Sequence, residues 1–225
     1  MKIEVAGQNA LIIYFAEEVT AEVASRIQAA VINIRASMQQ ILIDLVPSYA
    51  SLLVIFDINQ TDGFEVRQRL HAALADLDHA TDGDSSLITL PVYYSEESGP
   101  DLARIAELGK ISIDDVIEIH QQLEYRVYAI GFAPGFAYLG EVDPRIAAPR
   151  MTTPRERVPR GAVAIADRQT AVYPAASPGG WNLIGLCPTR MFDPLQEPSM
   201  PVKVGDRVRF EAIDRSSFLA QGGEL

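Results

Sequence analysis

Cysteine is nearly absent from this chain of 225 residues, which contains a single one, Cys187. One cysteine excludes an internal disulfide and is too few for a thiolate-based structural zinc site. Apolar residues precede Cys187 and no histidine is near it in sequence, so we expect a small buried thiol and not a nucleophile. The sequence predicts no metal site.

Positive charge is also scarce. Lys and Arg total 19 against 30 Asp and Glu, which gives a formal net charge of -11. Nucleic-acid binding without sequence preference depends on neutralising phosphates with basic side chains, so we expect no nucleic-acid partner. No apolar run approaches the roughly 20 residues of a membrane helix, and the N-terminus has no signal-peptide pattern. We therefore expect a cytoplasmic protein with no membrane partner.

The common catalytic signatures are missing as well. Lys2, Lys110 and Lys203 stand in no P-loop, and the chain contains neither a Gly-x-Ser-x-Gly elbow nor a His-Glu-x-x-His motif. His71 and His79 fall in or just after a predicted helix with no acidic or cysteine partner at ligand spacing, so we interpret both as solvated or locally hydrogen-bonded. The usual hydrolase and nucleotide sites are therefore unsupported.

The N-terminal part of the chain alternates between strand and helix patterns. Strand patterns occupy residues 10–15, 41–46, 51–56 and 87–94. Helices are predicted to begin at the caps Thr20 and Asp62. The order strand, helix, strand, strand, helix, strand predicts a ferredoxin-like α+β domain over residues 1–95. Pro91 interrupts the last strand, which we expect to lie at an edge or to bend there.

A helical connector is predicted over residues 96–122. Its first helix ends at Gly109, and Ser112 with Asp115 forms the capping pair of the second. His120 ends the second helix, just before a predicted strand. A structural role for His120 near the helix C-terminus and a catalytic role both stay open.

Residues 123–225 change to short β-like runs separated by Gly and Pro turns. The runs after Val158 lie at residues 162–166, 170–173, 181–186, 189–192 and 207–213. This pattern predicts a small β-barrel or sandwich. We expect the tail at residues 216–225 to fray.

Two Gly/Pro clusters, at residues 131–140 and 177–181, carry the strongest functional signal. Six arginines lie between them: Arg145, Arg150, Arg155, Arg157, Arg160 and Arg168. So many guanidinium groups indicate a carboxylate or phosphate site; a solvated surface paired with acids elsewhere is the alternative. Phe132, Phe136 and Trp181 stand in or beside the clusters, where exposed aromatic surface would mark a pocket or a partner-binding face.

Several of these segments resemble a known family. Residues 125–140, 154–159 and 169–181, and also 44–49 and 205–210, closely resemble the B-subunit family of 5-oxoprolinase. That family includes the sporulation histidine-kinase inhibitor and allophanate hydrolase subunit 1-like domains. The resemblance implies an α+β N-terminal domain followed by a cyclophilin-like domain, here a β-barrel. Asp167 stands where the family more usually has glycine, which leaves the conformation of that loop open.

The resemblance also implies an activity. The chain would act with the A and C subunits of an ATP-dependent 5-oxoprolinase, which hydrolyses 5-oxo-L-proline to L-glutamate, with ATP bound by this chain or only by the complex. Two alternatives stay open. One is an inhibitor that binds a histidine-kinase dimerisation domain, and the other is the carboxyltransferase half of a biotin-dependent urea or amide carboxylase.

Under the 5-oxoprolinase hypothesis the candidate site residues take three roles. Those that would orient substrate or transfer protons are His120, Gln169 and Tyr173. The anion binders are Arg155, Arg157 and Ser177, with a nest of backbone amides around Gly179 and Gly180. The partner-interface residues are Phe132, Phe136 and Trp181. Strand-end hydrogen bonding is the structural alternative for Gln169 and Tyr173.

Overall fold

The computed structural model describes residues 1–75, 77 and 85–225. The chain divides into two compact units, residues 1–85 and 86–225. None of the helices in the described ranges is long and apolar enough to cross a membrane. His71 is exposed, as expected, and His79 lies outside the described residues.

The first unit contains a four-stranded antiparallel sheet and two helices. The strands are β1 (Lys2–Gly7), β2 (Ala10–Tyr14), β3 (Leu42–Ser48) and β4 (Ser51–Phe56), in the order β1-β2-β4-β3. The helices are α1 (Ala21–Met38) and α2 (Gly63–Ala73). In β4, Leu52, Val54 and Phe56 are buried and the residues between them half-buried. That alternation is typical of a sheet with one covered face.

Both predicted helix starts in this unit are confirmed. The Thr20 hydroxyl accepts a 3.2 Å hydrogen bond from the amide of Val23, and the Asp62 carboxylate accepts from the amides of Phe64 and Glu65. Each cap satisfies amides that have no partner inside the helix. The apolar faces of α1 and α2 pack with the strands in one core.

The predicted fourth strand of this sheet was wrong. Residues 87–92 form β5 (Leu87–Val92), which pairs in parallel with β13 (Arg207–Ala212) in the second unit, and β1 is the fourth strand of the first sheet. The ferredoxin-like order and the boundary at residue 95 therefore differ from what is observed. An apolar pattern identifies a strand but not its partner. Here Asp206, just before β13, holds the start of β5 next to that strand. Its carboxylate accepts hydrogen bonds from the amides of Ser86 and Lys203.

The second unit contains the remaining elements. They are α3 (Leu102–Gly109), α4 (Ile113–Gln122), β6 (Tyr125–Ile130), β7 (Ala137–Gly140), β8 (Arg155–Val158), β9 (Ala162–Ala166), β10 (Gln169–Val172), β11 (Ser177–Gly179), β12 (Asn182–Leu186) and α5 (Arg215–Ala220). The strands follow the order β5-β13-β6-β7-β10-β9-β12, antiparallel except for β5 with β13. Strands β8 and β11 form a separate antiparallel pair.

This sheet is mostly antiparallel and is not a closed barrel, so the predicted β-barrel was wrong. Within the described residues its two ends meet only at an isolated pair between Tyr93 and Leu186. The sequence pattern predicts that several short strands are present. A closed barrel also requires continuous hydrogen bonding between the first and last strands of the sheet. Among the described strands β5 pairs with β13 alone, as expected for an edge strand that contains Pro91.

The predicted connector helices exist but belong to the core of the second unit. Ser112 and Asp115 form the expected capping box at the start of α4. Leu102 of α3 and Val116 of α4 are fully buried in the core that contains strand residues such as Val127. The helices therefore cover the sheet of this unit and do not merely link two domains.

Two further expectations about the second half were wrong. Residues 189–192 form no strand. The tail does not fray at residue 216, because α5 covers 215–220 and the amide of Gly223 then donates to the Phe218 carbonyl at 2.9 Å. Cys187 is buried as predicted, and burial raises the pKa of its thiol.

Candidate functional site

The two Gly/Pro clusters converge on Phe136. Its ring centroid lies 5.4 Å from that of Phe132, 4.8 Å from Tyr138, 5.2 Å from Tyr173 and 5.7 Å from Trp181. We call these residues the aromatic cluster. All four contacts are nearly edge-to-face, an arrangement that aromatic quadrupoles favour. Side chains from both clusters therefore meet in one place.

The first cluster directs two phenylalanines to opposite environments. The amide of Gly131 donates to the Phe136 carbonyl at 3.0 Å, which closes the turn. Gly135 has φ of +82°, and a Cβ there would stand 2.5 Å from the Met191 carbonyl oxygen. The turn thus needs glycine for both conformation and space. It buries Phe136, which is 2% exposed, and leaves Phe132 67% exposed.

The second cluster packs its backbone against Tyr173. A Cβ on Gly179 would lie 2.3 Å from the Tyr173 hydroxyl oxygen, so only glycine lets the ring come this close. Gly179 is a strand residue opposite Arg155, and neither Gly179 nor Gly180 has a positive φ. A nest requires alternating right- and left-handed conformations. The geometry therefore does not form the predicted amide nest.

Most of the six arginines are paired with acids. The pairs are Arg145 with Asp143, Arg155 with Asp101, Arg160 with Glu224 and Arg168 with Glu141. The partners all lie outside residues 145–168, a segment whose only acids are Glu156 and Asp167. Arg150 and Arg157 are exposed and make no ion pair with any described side chain. These two are the arginines whose charge is available to an anion.

Arg155 is held in place on several sides. Its Nη2 donates to Asp101 at 2.8 Å, and Nη1 donates to the Met151 sulfur at 2.8 Å. The other oxygen of Asp101 accepts from the amide of Leu183 at 2.7 Å. Arg155 therefore joins β8 to α3 and β12, and its charge is compensated by a carboxylate that sequence inspection did not identify.

Arg150 lies over the aromatic cluster. Its guanidinium carbon is 5.7 Å from the centroid of Trp181, a cation–π contact. Burial raises the pKa of Tyr173, and the charges of Arg150 and Arg155 partly oppose that rise. Tyr173 therefore stays protonated at neutral pH, near two cations. In the sequence Arg150 is one of six arginines, and no local signal distinguishes it from the others.

His120 is buried in the core with both ring nitrogens occupied. Nδ1 is 2.7 Å from the Tyr94 hydroxyl and Nε2 is 3.0 Å from the Thr170 hydroxyl. The ring stacks on Phe210 at 4.5 Å. Burial lowers the pKa of His120 to about 3, so the ring is neutral at pH 7. Of the two roles left open by the sequence, this geometry favours the structural one.

Gln169 and Tyr173 lie at opposite ends of β10. Gln169 pairs with Gly140 and Ala166, and Tyr173 follows the last residue of the strand. Four residues of extended chain separate them by roughly 13 Å. The structure therefore does not bring His120, Gln169 and Tyr173 together. Ser177 is half-buried in β11, opposite Val158.

The turn between β9 and β10 has the conformation that glycine would favour. Asp167 has φ of +53°, in the left-handed region, and its amide donates to the Ala148 carbonyl at 2.7 Å. Aspartate tolerates this region better than most residues. The substitution at Asp167 thus preserves the turn. Among the described residues no group of His, Cys, Asp and Glu is arranged to hold a metal ion.

Comparison with known proteins identifies the family. The family described as carboxyltransferase domain, subdomain C and D, matches residues 1–202. The chain is 37% identical to the B subunit of 5-oxoprolinase from Bacillus subtilis, over 97% of this chain and 95% of that protein. It is also 37% identical to the 5-oxoprolinase B subunit of Escherichia coli O157:H7, over 75% of this chain and 77% of that one.

Solved structures agree with this relationship. The structure of TTHA0988 matches with a TM-score of 0.81 and 36% identity, over 92% of this chain but only 40% of that one. PH0987 from Pyrococcus horikoshii matches with a TM-score of 0.58 and 43% identity, over 96% of this chain and all of that one. Kluyveromyces lactis urea carboxylase shares the fold at 18% identity, with a TM-score of 0.77 over 97% of this chain and 22% of that one. The chain therefore belongs to the B-subunit family of 5-oxoprolinase, within the carboxyltransferase-domain proteins.

Proposed function

We propose that this chain is the B subunit of an ATP-dependent 5-oxoprolinase in the cytoplasm. It acts with the A and C subunits to hydrolyse 5-oxo-L-proline to L-glutamate. The observation that carries this proposal is the 37% identity to the Bacillus subtilis protein over almost the full length of both chains. Because the match covers nearly all of both proteins, it supports the same role in the same kind of complex.

The aromatic cluster is the part of the chain that a partner protein completes. Phe132 is 67% exposed and rests on Phe136, which is 2% exposed. An exposed aromatic ring backed by a rigid buried one is typical of an interface anchor. Phe132 therefore contacts the partner, whereas Phe136 and Trp181 support it from within the fold.

Arg150 and Tyr173 bind the substrate at this place. A lactam amide is unreactive, and attack on its carbon moves negative charge onto its oxygen. The Tyr173 hydroxyl, which stays protonated, donates to an oxygen of the substrate. Arg150 offers its guanidinium to the substrate carboxylate. Arg157 and Ser177 extend the anion-binding surface, and Arg155 positions β8 and β12. His120, through Thr170, and Gln169 hold the first residues of β10 in place.

ATP is assigned to the assembled complex. Arg150 at the aromatic cluster fits one carboxylate or one phosphoryl group, while the turn at Gly179 and Gly180 lacks the nest that a phosphate chain needs. The residues of this chain therefore do not fit a triphosphate by themselves. When bound in the complex, ATP would supply the phosphoryl group that makes the lactam carbon electrophilic.

A second candidate function is the carboxyltransferase half of a biotin-dependent urea or amide carboxylase. The family description itself, carboxyltransferase domain, supports this interpretation. The likeness to Kluyveromyces lactis urea carboxylase, at 18% identity, carries only the fold. Such an enzyme needs bicarbonate and a biotinylated partner, whereas 5-oxoprolinase needs neither.

The deciding experiment measures glutamate release from 5-oxo-L-proline. The chain is assayed alone, with the A subunit, with the C subunit, and with both, each with and without ATP. We expect ATP-dependent release only from the three-protein mixture. Carboxylation of urea with biotinylated partner and bicarbonate, without glutamate release, would favour the second candidate. Inhibition of histidine-kinase autophosphorylation, again without glutamate release, would favour the kinase-inhibitor alternative.

A further inference from the structure

The second unit contains a polar pocket of about 630 Å³ that the proposed function does not use. It is lined by Arg160, by residues between 188 and 201, and by the tail that follows α5. None of its lining residues belongs to the aromatic cluster. We call it the tail pocket. Its volume is within the range of small-molecule sites in proteins.

The lining of the tail pocket carries both signs of charge. Arg160 and Arg190 contribute two cations, and Asp193, Glu197 and Glu224 contribute three carboxylates. A ligand with only negative charge would face the carboxylates, and a ligand with only positive charge would face the arginines. A small molecule that carries one group of each sign satisfies both.

The walls of this pocket are preformed by local hydrogen bonds. The amide of Asp193 donates to the Ser199 carbonyl at 2.8 Å, and the amide of Leu195 donates to the Asp193 carboxylate at 3.0 Å. Pro188, Pro198 and Pro201 further restrict this wall. A ligand therefore meets charged groups whose backbone is already ordered, which lowers the entropic cost of binding.

The tail is fixed over the pocket by two glycines. Gly222 has φ of +83°, and a Cβ on Gly223 would stand 2.4 Å from the ring of Phe218, which is 1% exposed. This packing sets Glu224 next to Arg160. The contact is long, 3.9 Å, and the Glu224 side chain is 86% exposed. Such a pair is weak and is easily displaced by a ligand carboxylate.

Arg190 is the second cation of the pocket. It is exposed and makes no ion pair or hydrogen bond with another side chain in the part of the chain that the structure describes. Its guanidinium can therefore donate to a ligand carboxylate without first losing an internal partner. Glu197 lines the same pocket, is also exposed and offers its carboxylate to an ammonium group.

We propose that the tail pocket binds a small zwitterion of the α-amino acid class. The ligand carboxylate binds Arg190 and displaces Glu224 from Arg160, and the ligand ammonium binds the carboxylates of Glu197 and Asp193. The juxtaposition that carries this assignment is the presence of two arginines and three carboxylates around one preformed pocket. This inference goes beyond the proposed function, because it needs neither ATP nor a partner protein.

The test uses three probes that share an ethyl skeleton. L-alanine carries both charges, propionate lacks the ammonium and ethylammonium lacks the carboxylate. Each is titrated into the isotope-labelled full chain and followed by amide chemical shifts in NMR spectra. We expect saturable shifts for residues 189–199 and 221–224 with L-alanine, and affinities lower by about tenfold or more for the other two probes.

Variants of the lining residues test whether L-alanine binds in the tail pocket or shifts the spectra through general ionic effects. Arg190→Gln and Glu197→Gln each weaken L-alanine binding by about tenfold, since each removes one charge-assisted contact. Arg145→Gln is the matched control, because Arg145 pairs with Asp143 and does not line this pocket. Equal binding of L-alanine and propionate, shifts confined to other residues, or no saturable shift at all would each overturn the proposal.

Discussion

The carboxylate of Asp101 bridges Arg155 and Leu183: one oxygen lies 2.8 Å from Nη2 of Arg155 and the other 2.7 Å from the amide nitrogen of Leu183. The Asp101 side chain is 8% exposed and that of Arg155 26%. This carboxylate therefore connects the start of α3 with β8 and β12. It also explains why Arg155, in spite of its position between the Gly/Pro clusters, is mainly a structural residue.

We expect Asp101→Ala to lower the free energy of unfolding by about 2–3 kcal/mol, because it leaves a guanidinium and an amide without their acceptor. Because Arg155 is partly exposed, this loss of stability is at the lower end of the range for broken buried ion pairs. Urea denaturation measures it. The control is Glu141→Gln, which breaks the exposed pair with Arg168 and should change stability by less than about 0.5 kcal/mol. Equal losses in both variants would contradict the structural role of Asp101.

His120 makes stability depend on pH. Burial lowers its pKa in the folded state to about 3, whereas an unfolded histidine titrates near 6.5. The unfolded state therefore binds the extra proton, and the stabilisation present above pH 6.5 is lost as the pH falls toward 3. In that window the stability of the wild type should fall with pH more steeply than that of His120→Gln, by about 1.4 kcal/mol per pH unit.

Urea denaturation between pH 7 and pH 4 checks this difference in slope. The control is His71→Gln, which replaces an exposed histidine on α2. Parallel curves for the wild type and His120→Gln would show that His120 is not buried as a neutral ring.

Alanine variants of Phe132 and Phe136 should have different effects, the first on binding to the partner proteins and the second on stability. Phe136→Ala is expected to cost about 3–5 kcal/mol of stability, because the ring is buried at the centre of the aromatic cluster. Phe132→Ala should cost less than about 1 kcal/mol, because the ring is mostly exposed, but should weaken binding to the partner proteins by about tenfold or more. Urea denaturation and calorimetric titration with the A and C subunits measure the two effects. Unchanged association of Phe132→Ala would remove it from the interface.

Arg150 is expected to affect turnover and not folding. In the reconstituted complex, Arg150→Gln should raise KM for 5-oxo-L-proline by about tenfold, since one charge-assisted contact to the substrate carboxylate is lost. Its stability in urea should match the wild type within about 0.5 kcal/mol, because Arg150 is exposed. Arg145→Gln, a neighbouring arginine paired with Asp143, serves as the control. Identical KM values for both variants would exclude Arg150 from the substrate site.

Gly131 and Gly179, one from each Gly/Pro cluster, should respond differently to substitution by alanine. Gly179→Ala brings a Cβ within 2.3 Å of the Tyr173 hydroxyl and should destabilise the fold by about 1–3 kcal/mol. Gly131→Ala should be tolerated, because a Cβ there meets nothing within 4 Å and the residue has no positive φ. Thermal or urea unfolding of both variants tests this. A tolerated Gly179→Ala would mean that Tyr173 moves freely, against its burial.

The sequence pattern was sufficient to predict those features whose deciding contact joins residues close together in the chain. Thr20, Asp62 and Ser112 were predicted as helix caps and each accepts from an amide at most three residues away. Exposed aromatic surface was expected at the Gly/Pro clusters, and Phe132 is exposed, but Phe136 and Trp181 are buried. Residues 87–92 show the limit: their strand pattern was recognised, but their parallel partner lies 120 residues further along the chain.

The chain by itself therefore determined the helix starts, the glycine-dependent turns, the buried thiol of Cys187 and the family. Tertiary structure alone decided which arginines keep a free charge, which strand joins which sheet, and that His120 is a neutral core residue. The physical reason is distance along the chain. Asp101 pairs with Arg155 from 54 residues away, and Thr170 contacts His120 from 50 residues away. A local sequence pattern does not predict contacts between residues so far apart.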